Sequence, residues 1–217
     1  MTEGLRLTGY RFSVYTRSVR MGLAAKGLRH DYVECDPFGE GAQALSRLHP
    51  FGRVPVLEAG DFRLWETQAI LDYLEAVAPE PRMVPDAPEG AARMRQVMGI
   101  ADSYAYWPLV RQAFSNAVFA ALECEAGDAE ALADGLAAAP RVLDALEEIA
   151  AEGLVLRPGS LDLAGCHLWP MLDYFGMVPG GEEMIAARPA LAAWCVWMET
   201  CDVAQETRPN LTKEAMA

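Results

Sequence analysis

Ser13 stands where a short apolar segment, Leu5–Tyr10, gives way to a helical stretch that begins near Thr16. A residue at such a junction lies beside the unpaired N–H groups and the positive end of a helix, so its surroundings favour an anion. Its hydroxyl suits an ordinary helix N-cap equally well, since serine is common there. Tyr10 and Tyr15 carry phenols nearby and rival it as hydrogen-bond donors. A second pair, Glu66-Thr67, falls at another strand-to-helix turn. A carboxylate there accepts an ammonium group, while the hydroxyl and N–H of the threonine receive a carboxylate. The same pair would also serve as a plain N-cap at Thr67 with an adjacent acid. Between these points Val54-Pro55 opens a strand, with the cationic Arg53 just before it. A trans proline is ordinary at a strand start, whereas a cis bond is uncommon and belongs to tight turns.

The elements that would position these residues change character near residue 80. Leu5–Tyr10 reads as a strand with Leu5 and Leu7 on one face, and Thr16–Lys26 as a helix ended by Gly27. His30–Glu34 is a second short strand, and Gly41–Leu48 a weak helix. Val54–Glu58 and Phe62–Trp65 flank Ala59-Gly60-Asp61 as a hairpin. Thr67–Val77 follows as a helix, with Ile70, Tyr73, Leu74 and Val77 at helical spacing. Pro79, Pro81, Pro85 and Pro88 then mark a linker. Beyond it the periodicity is helical throughout: Ala91–Leu122, Ala129–Ala151, Leu163–Gly176 and Pro189–Thr200. The first of these is expected to bend or break at Pro108. The expectation is an α/β domain over 1–79, a linker over 80–89 and an all-helical domain over 90–217.

Composition narrows the classes. Apolar residues make up 52% of the 217 and charged ones 23%, a globular balance. No stretch reaches the roughly eighteen apolar residues of a membrane helix. The N-terminal residues lack the pattern of a signal peptide. A cytoplasmic protein with no membrane partner is expected. Five scattered cysteines without a C-x-x-C pair, and three unclustered histidines, argue against a metal site or disulfide framework. A net charge of −13 disfavours nucleic acid. That charge is uneven: residues 1–82 carry −1 and the remainder −12, so the first part repels an anionic ligand far less.

Three constellations together carry a resemblance. Ser13-Val14-Tyr15-Thr16-Arg17-Ser18-Val19-Arg20, followed by Gly22–Leu28, resembles the serine-type N-terminal motif of cytosolic glutathione transferases, S-x-x-x-x-R-V-R and then an apolar helix ending in K-G. Ser18 replaces the motif's arginine, with Arg17 one place earlier. His49–Glu58 is similar to the family's N-P-F-G-x-V-P-x-L, and Leu64–Leu74 to its L-x-E-S-x-A-I-x-x-Y-L. The match spans nearly all of residues 5–78 and is looser in the helical half, at Leu163-Ala164, His167-Leu168, Pro170-Met171 and Pro189–Trp194.

The resemblance implies a thioredoxin-like glutathione-binding domain followed by an all-helical one. It implies that Ser13 stabilises the glutathione thiolate, lowering a thiol pKa that is near ~8.5 when free. It makes the Val54–Pro55 bond cis, so that Val54 pairs with the cysteinyl backbone of glutathione, and it gives Glu66 and Thr67 the γ-glutamyl group. Plant-like members hold the glycyl carboxylate with His-Lys about a dozen residues before the V-P pair. Glu40-Gly41 stand there instead, which leaves Arg53 as the substitute anchor. In the later capping box, Asp162 keeps the first half and Gly165 loses the second. The aromatic stretch Tyr104, Tyr106, Trp107, Arg111 and Phe114, with Tyr15, would line a pocket for a small apolar electrophile, or simply pack in the core. Trp169, Trp194 and Trp197 read as core. Glutathione is then a cosubstrate, with no permanently bound cofactor and no metal, and the protein a homodimer. The alternatives are a glutathione-dependent isomerase, a disulfide-bond reductase or a non-catalytic binding module on the same fold. A reductase that uses a protein thiol would need cysteine at Ser13.

Overall fold

A computed structural model describes residues 4–39 and 41–212. Glu40, one half of the departure noted above, lies outside the described residues. The chain divides into two compact units between Val84 and Pro85, and Glu206–Pro209 group with the first. Two details differ from the division expected. The first helix of the second unit starts at Pro88, inside the expected linker, because proline suits the first helical turn, where no N–H is needed. Glu206–Pro209 also fall outside the helical unit to which 90–217 assigned them.

In the first unit the order is β1 (Leu5–Gly9), α1 (Val14–Ala25), β2 (Asp31–Glu34), α2 (Ala42–Leu45), β3 (Val56–Ala59), β4 (Phe62–Trp65) and α3 (Thr67–Val77). The strands form one sheet in the order β2-β1-β3-β4, with β1 and β2 parallel and the other pairs antiparallel. This is the thioredoxin-like arrangement. One side of the sheet is sealed by Leu5, Leu7 and Leu57 against Val19 and Leu23 of α1 and Ile70 and Leu74 of α3. On another cluster Val56 packs with Cys35 and Leu45. The alternation of strand side chains accounts for both, since Val56 and Leu57 must point to opposite sides.

The second unit is helical. After α4 (Pro88–Ile100), the residues Ala101–Phe119 continue as a wider helix with i→i+5 hydrogen bonding, and α5 (Ala120–Leu122) finishes it. Of the bend or break expected at Pro108, a break does not occur; the proline is carried inside the wide helix. Then come α6 (Ala129–Ala151), α7 (Leu163–Gly176), α8 (Gly181–Ala186), α9 (Pro189–Glu199) and α10 (Asp202–Glu206). Helix α7 is buried from Leu163 to Phe175, as a helix that is apolar on nearly every side must be. Tyr174 stacks on Phe114 with ring centroids 4.0 Å apart, and Trp169 meets Trp194 edge to face. Trp197 is only half-buried. The buried His167 on α7 keeps a polar partner, its Nε2 lying 2.8 Å from Oδ1 of Asp102.

Asp162 caps α7, its Oδ1 accepting the N–H of Gly165 at 2.7 Å. Burial pushes its carboxyl up to about 6, against the pull of the Gly165 and Ala164 N–H groups and Arg157. The folded chain therefore holds this proton more tightly than the unfolded one, and stability contributed by the group is lost as pH rises from about 4 to about 6. Asp162→Asn keeps a capping oxygen without the charge. Its melting temperature should gain on wild type across that window and level off above it, whereas Asp162→Ala should cost about 1 kcal/mol near neutrality. Calorimetric melting of the three proteins from pH ~4 to ~7 reads both effects.

Candidate active site

The register of the sheet brings the sequence-predicted residues of the first unit to one edge. Thr8 of β1 pairs with Val56 at the start of β3, and Val56 pairs with Trp65 at the end of β4. The chain leaving β1, the chain entering β3 and the chain leaving β4 therefore pass the same end of the sheet. Ser13, Arg53-Val54-Pro55 and Glu66-Thr67 all belong to those three segments.

Ser13 is the N-cap of α1, and its Oγ accepts the N–H of Thr16 at 3.2 Å. That bond uses an oxygen lone pair, so the hydroxyl hydrogen can still be donated to a ligand. The capping and thiol-facing readings are thus compatible. No acidic side chain occupies the first turn of α1, which leaves its positive end unneutralised. The helix start presses closely on the strand end: a Cβ on Gly9 would come within 2.3 Å of Thr16 Cγ2. Tyr10 packs its ring edge-on against Phe12, with centroids 5.3 Å apart, and against Phe38. Tyr15 is half-buried in the first turn of α1.

The Val54–Pro55 bond is cis. The strand begins at Val56, not at Val54 as the sequence suggested, so the main chain of Val54 precedes the first ladder pair. Pro55 is buried, Val54 half-buried and Arg53 exposed.

At the third segment the plain N-cap reading of Thr67 is corrected. Glu66 holds the cap position of α3, its side chain makes no capping bond, and Thr67 is the first helical residue and buried. Glu66 has φ 74° and ψ 117°, a conformation that side chains resist. An exposed carboxylate held there beside the N–H groups of a helix start offers both signs of partner to a zwitterion.

Beside this edge lies a residue to which the sequence reading gave no role. His49 is buried, and its Nδ1 accepts the N–H of Phe51 at 3.0 Å. The only signal in the sequence was a titratable ring at the first position of the H-P-F-G string.

In the second unit Tyr104, Trp107 and Arg111 are exposed on the wide helix, Tyr104 at 66% and Trp107 at 61%. Phe114 is core, stacked on Tyr174. Among the described residues no three His, Cys, Asp or Glu side chains gather as metal ligands. No helix among them is long and apolar enough to cross a membrane.

Comparison with known proteins decides the family. The family model described as glutathione S-transferase, N-terminal domain, matches residues 7–82. Glutathione S-transferase F14 of Arabidopsis thaliana is 31% identical over 176 residues, covering 78% of this chain and 69% of that protein. This chain belongs to the glutathione S-transferase family. Glutathione S-transferase PARB of Nicotiana tabacum is 27% identical over 88% of the chain and 91% of its own length. The crystal structure of glutathione transferase F7 from Populus trichocarpa superposes with a TM-score of 0.81, covering 98% of this chain and 99% of that one at 21% identity, so the fold is shared end to end.

The positive φ of Glu66 yields a test. Glu66→Gly should relieve a backbone cost of roughly 1–3 kcal/mol, offset in part by the greater entropy of unfolded glycine. The variant should melt no lower than wild type and yet bind glutathione more weakly. A clear loss of thermal stability would show that the conformation carries no strain.

Proposed function

We propose that this protein is a serine-type glutathione transferase that joins the glutathione thiol to a small apolar electrophile. The observation that carries the reading is the meeting, at one end of one sheet, of an N-cap hydroxyl, a cis-proline segment outside the ladder and an acid beside a helix start. Each answers one part of a γ-linked tripeptide. The carboxylate of Glu66 receives the ammonium group, and the N–H and hydroxyl of Thr67 receive the α-carboxylate. The main-chain N–H and C=O of Val54 pair with the cysteinyl unit as a two-bond ladder. Arg53 meets the glycyl carboxylate.

The chemistry follows from the hydroxyl of Ser13. It donates to sulfur once sulfur is ionised and much less to the neutral thiol, so the thiol proton leaves to solvent at lower pH. The thiolate lone pair then forms the C–S bond. Either a leaving group departs with its electron pair, or the displaced pair moves onto the acceptor, which takes a proton from water. On the second unit Tyr104, Trp107 and Arg111 are assigned to the electrophile, and the exposure of Tyr104 and Trp107 supports this. A homodimer in the cytoplasm, as the resemblance implies, completes the reading. Serine at position 13 disfavours a reductase that works through its own thiol.

Ser13→Ala should move the pH–rate profile for conjugation of a chlorinated nitrobenzene to higher pH. Each unit of displacement stands for about 1.4 kcal/mol of lost thiolate stabilisation, and the KM for glutathione should stay close to wild type. An unshifted profile with a wild-type rate at neutrality would transfer the role to Tyr10 or Tyr15. For the γ-glutamyl end, Glu66→Ala and Thr67→Ala should each weaken glutathione binding by roughly 1–3 kcal/mol in calorimetry. Unchanged affinity in both would remove that assignment.

A further inference from the structure

The turn that leads into the cis proline is held by a neutral histidine. His49 exposes only 3% of its surface. Its ring lies among aromatic neighbours, with centroids 5.1 Å from Trp65 and 5.9 Å from Phe51. Its own N–H donates to the carbonyl of Leu45, and its carbonyl accepts the N–H of Gly52, at 2.9 and 3.0 Å. That main-chain bond closes the turn, and a second one inside it, from the Phe51 N–H to Nδ1, ties the ring to it. A backbone N–H can only donate, so Nδ1 must be the unprotonated nitrogen and the ring proton sits on Nε2. The side chain thus accepts from the N–H two residues on, as the carbonyl of an asparagine does in an Asx turn. Gly52, with φ +59°, then turns the chain into Arg53 and Val54. Protonation would put a hydrogen on Nδ1 facing the Phe51 hydrogen, and the bond would be lost.

We infer that His49 is a positioning residue for glutathione: its neutral ring latches the 49–52 turn that presents Arg53 and Val54, and protonation opens the latch and weakens binding. The inference rests on the functional reading above, because it is glutathione that the turn is taken to serve. The charged groups acting on the ring are Glu66, after β4, which favours the protonated form, and Arg53, in the same turn, which opposes it. Desolvation is the largest influence; with Arg53 acting the same way it overrides Glu66 and holds the imidazole below the ordinary histidine range. Because the latched state excludes the proton, affinity is complete above the imidazole's titration and is lost as pH falls through it. At neutral pH the latch is closed.

The test combines two readouts on the whole protein. The His49 ring and the Phe51 amide are followed by nitrogen-15 NMR from about pH 7.5 to about pH 5, and glutathione affinity by calorimetry over the same range. Wild type should weaken by up to roughly tenfold per pH unit below the point at which the ring titrates, the limit for one excluded proton. His49→Asn presents Oδ1 in place of Nδ1 and does not titrate, so it should bind like wild type at neutral pH and stay flat. His49→Phe keeps an aromatic ring without the acceptor, and should bind several-fold more weakly than wild type at neutral pH, as expected for a lost hydrogen bond, with the difference closing as pH falls. Wild-type affinity that is flat through the ring's titration overturns the inference. So does equal neutral-pH affinity in the Asn and Phe variants, or a ring that stays neutral until the protein unfolds. Absence of glutathione binding at any pH would overturn the functional reading itself, and with it the service of His49 to glutathione. The Phe51 amide would still report in that case whether the turn is proton-sensitive.

Discussion

The pairing of Thr8 with Val56, and of Val56 with Trp65, is the constraint on which the arrangement depends. It is enforced from inside the unit and not by the site. Leu7 and Leu57 are paired partners, and both are buried against α1 and α3. A slip of β3 by one residue would turn Leu57 away from that cluster and Val56 into it, exchanging every side chain between the two faces. Val56 is packed on the other face with Cys35 and Leu45, so both faces resist the exchange. The core thus fixes the register, and the register sets which loops share one end of the sheet. Ser13, Val54-Pro55 and Glu66-Thr67 sit in three separate segments that the register brings to that end.

Long-range charge does not decide what that edge attracts. The chain carries −13 overall, which would repel an anionic tripeptide at a distance. At physiological salt, however, fields are screened within about 8 Å, so contacts at the edge outweigh the rest of the molecule. There both signs are present, the Arg53 cation and the Glu66 carboxylate beside two helix starts. Helices α1 and α3 both start at that edge, and neither has an acid in its first turn. The caps are arranged so that little is spent internally. Ser13 uses one lone pair on Thr16, and Glu66 uses none of its carboxylate on α3.

Most of the fold was legible because its elements announce themselves. Phe62–Trp65, Thr67–Val77, Ala129–Ala151 and Leu163–Gly176 run between the boundaries read from pattern, each flanked by a turn or cap residue. Misreadings occur where a local rule was overridden. Val77 continues the apolar stripe of α3 but is 36% exposed, while Leu71, outside that stripe, is core. Helix α8 has six residues, too few to show a period, and starts from Gly180 at φ 83°. At the candidate site, residue types were legible and backbone geometry was not. Nothing in Glu66-Thr67 reveals that the glutamate, and not the threonine, occupies the cap with positive φ. His49 was invisible for a related reason, since its importance lies in the direction of a hydrogen bond within a turn.

The wide helix shows how one face of the second unit can vary without disturbing the packing of that unit. Ala101, Ala105, Leu109 and Ala113 recur at every fourth position and are fully buried, so the packed face of this helix is made largely of small residues. Small residues let neighbouring backbones approach closely, and they leave little room for substitution on that side. Tyr104, Trp107 and Arg111 occupy the outward side and carry none of that packing. Replacing them changes shape and polarity at the surface while the buried alanines keep the helix in place. Recognition of glutathione, on the reading proposed, draws mainly on main-chain groups and caps that the sheet register holds in position. On the same reading the electrophile is left to exposed side chains on a helix whose anchoring is independent of them, so a few surface substitutions can change that substrate at little cost to the packing of the helix.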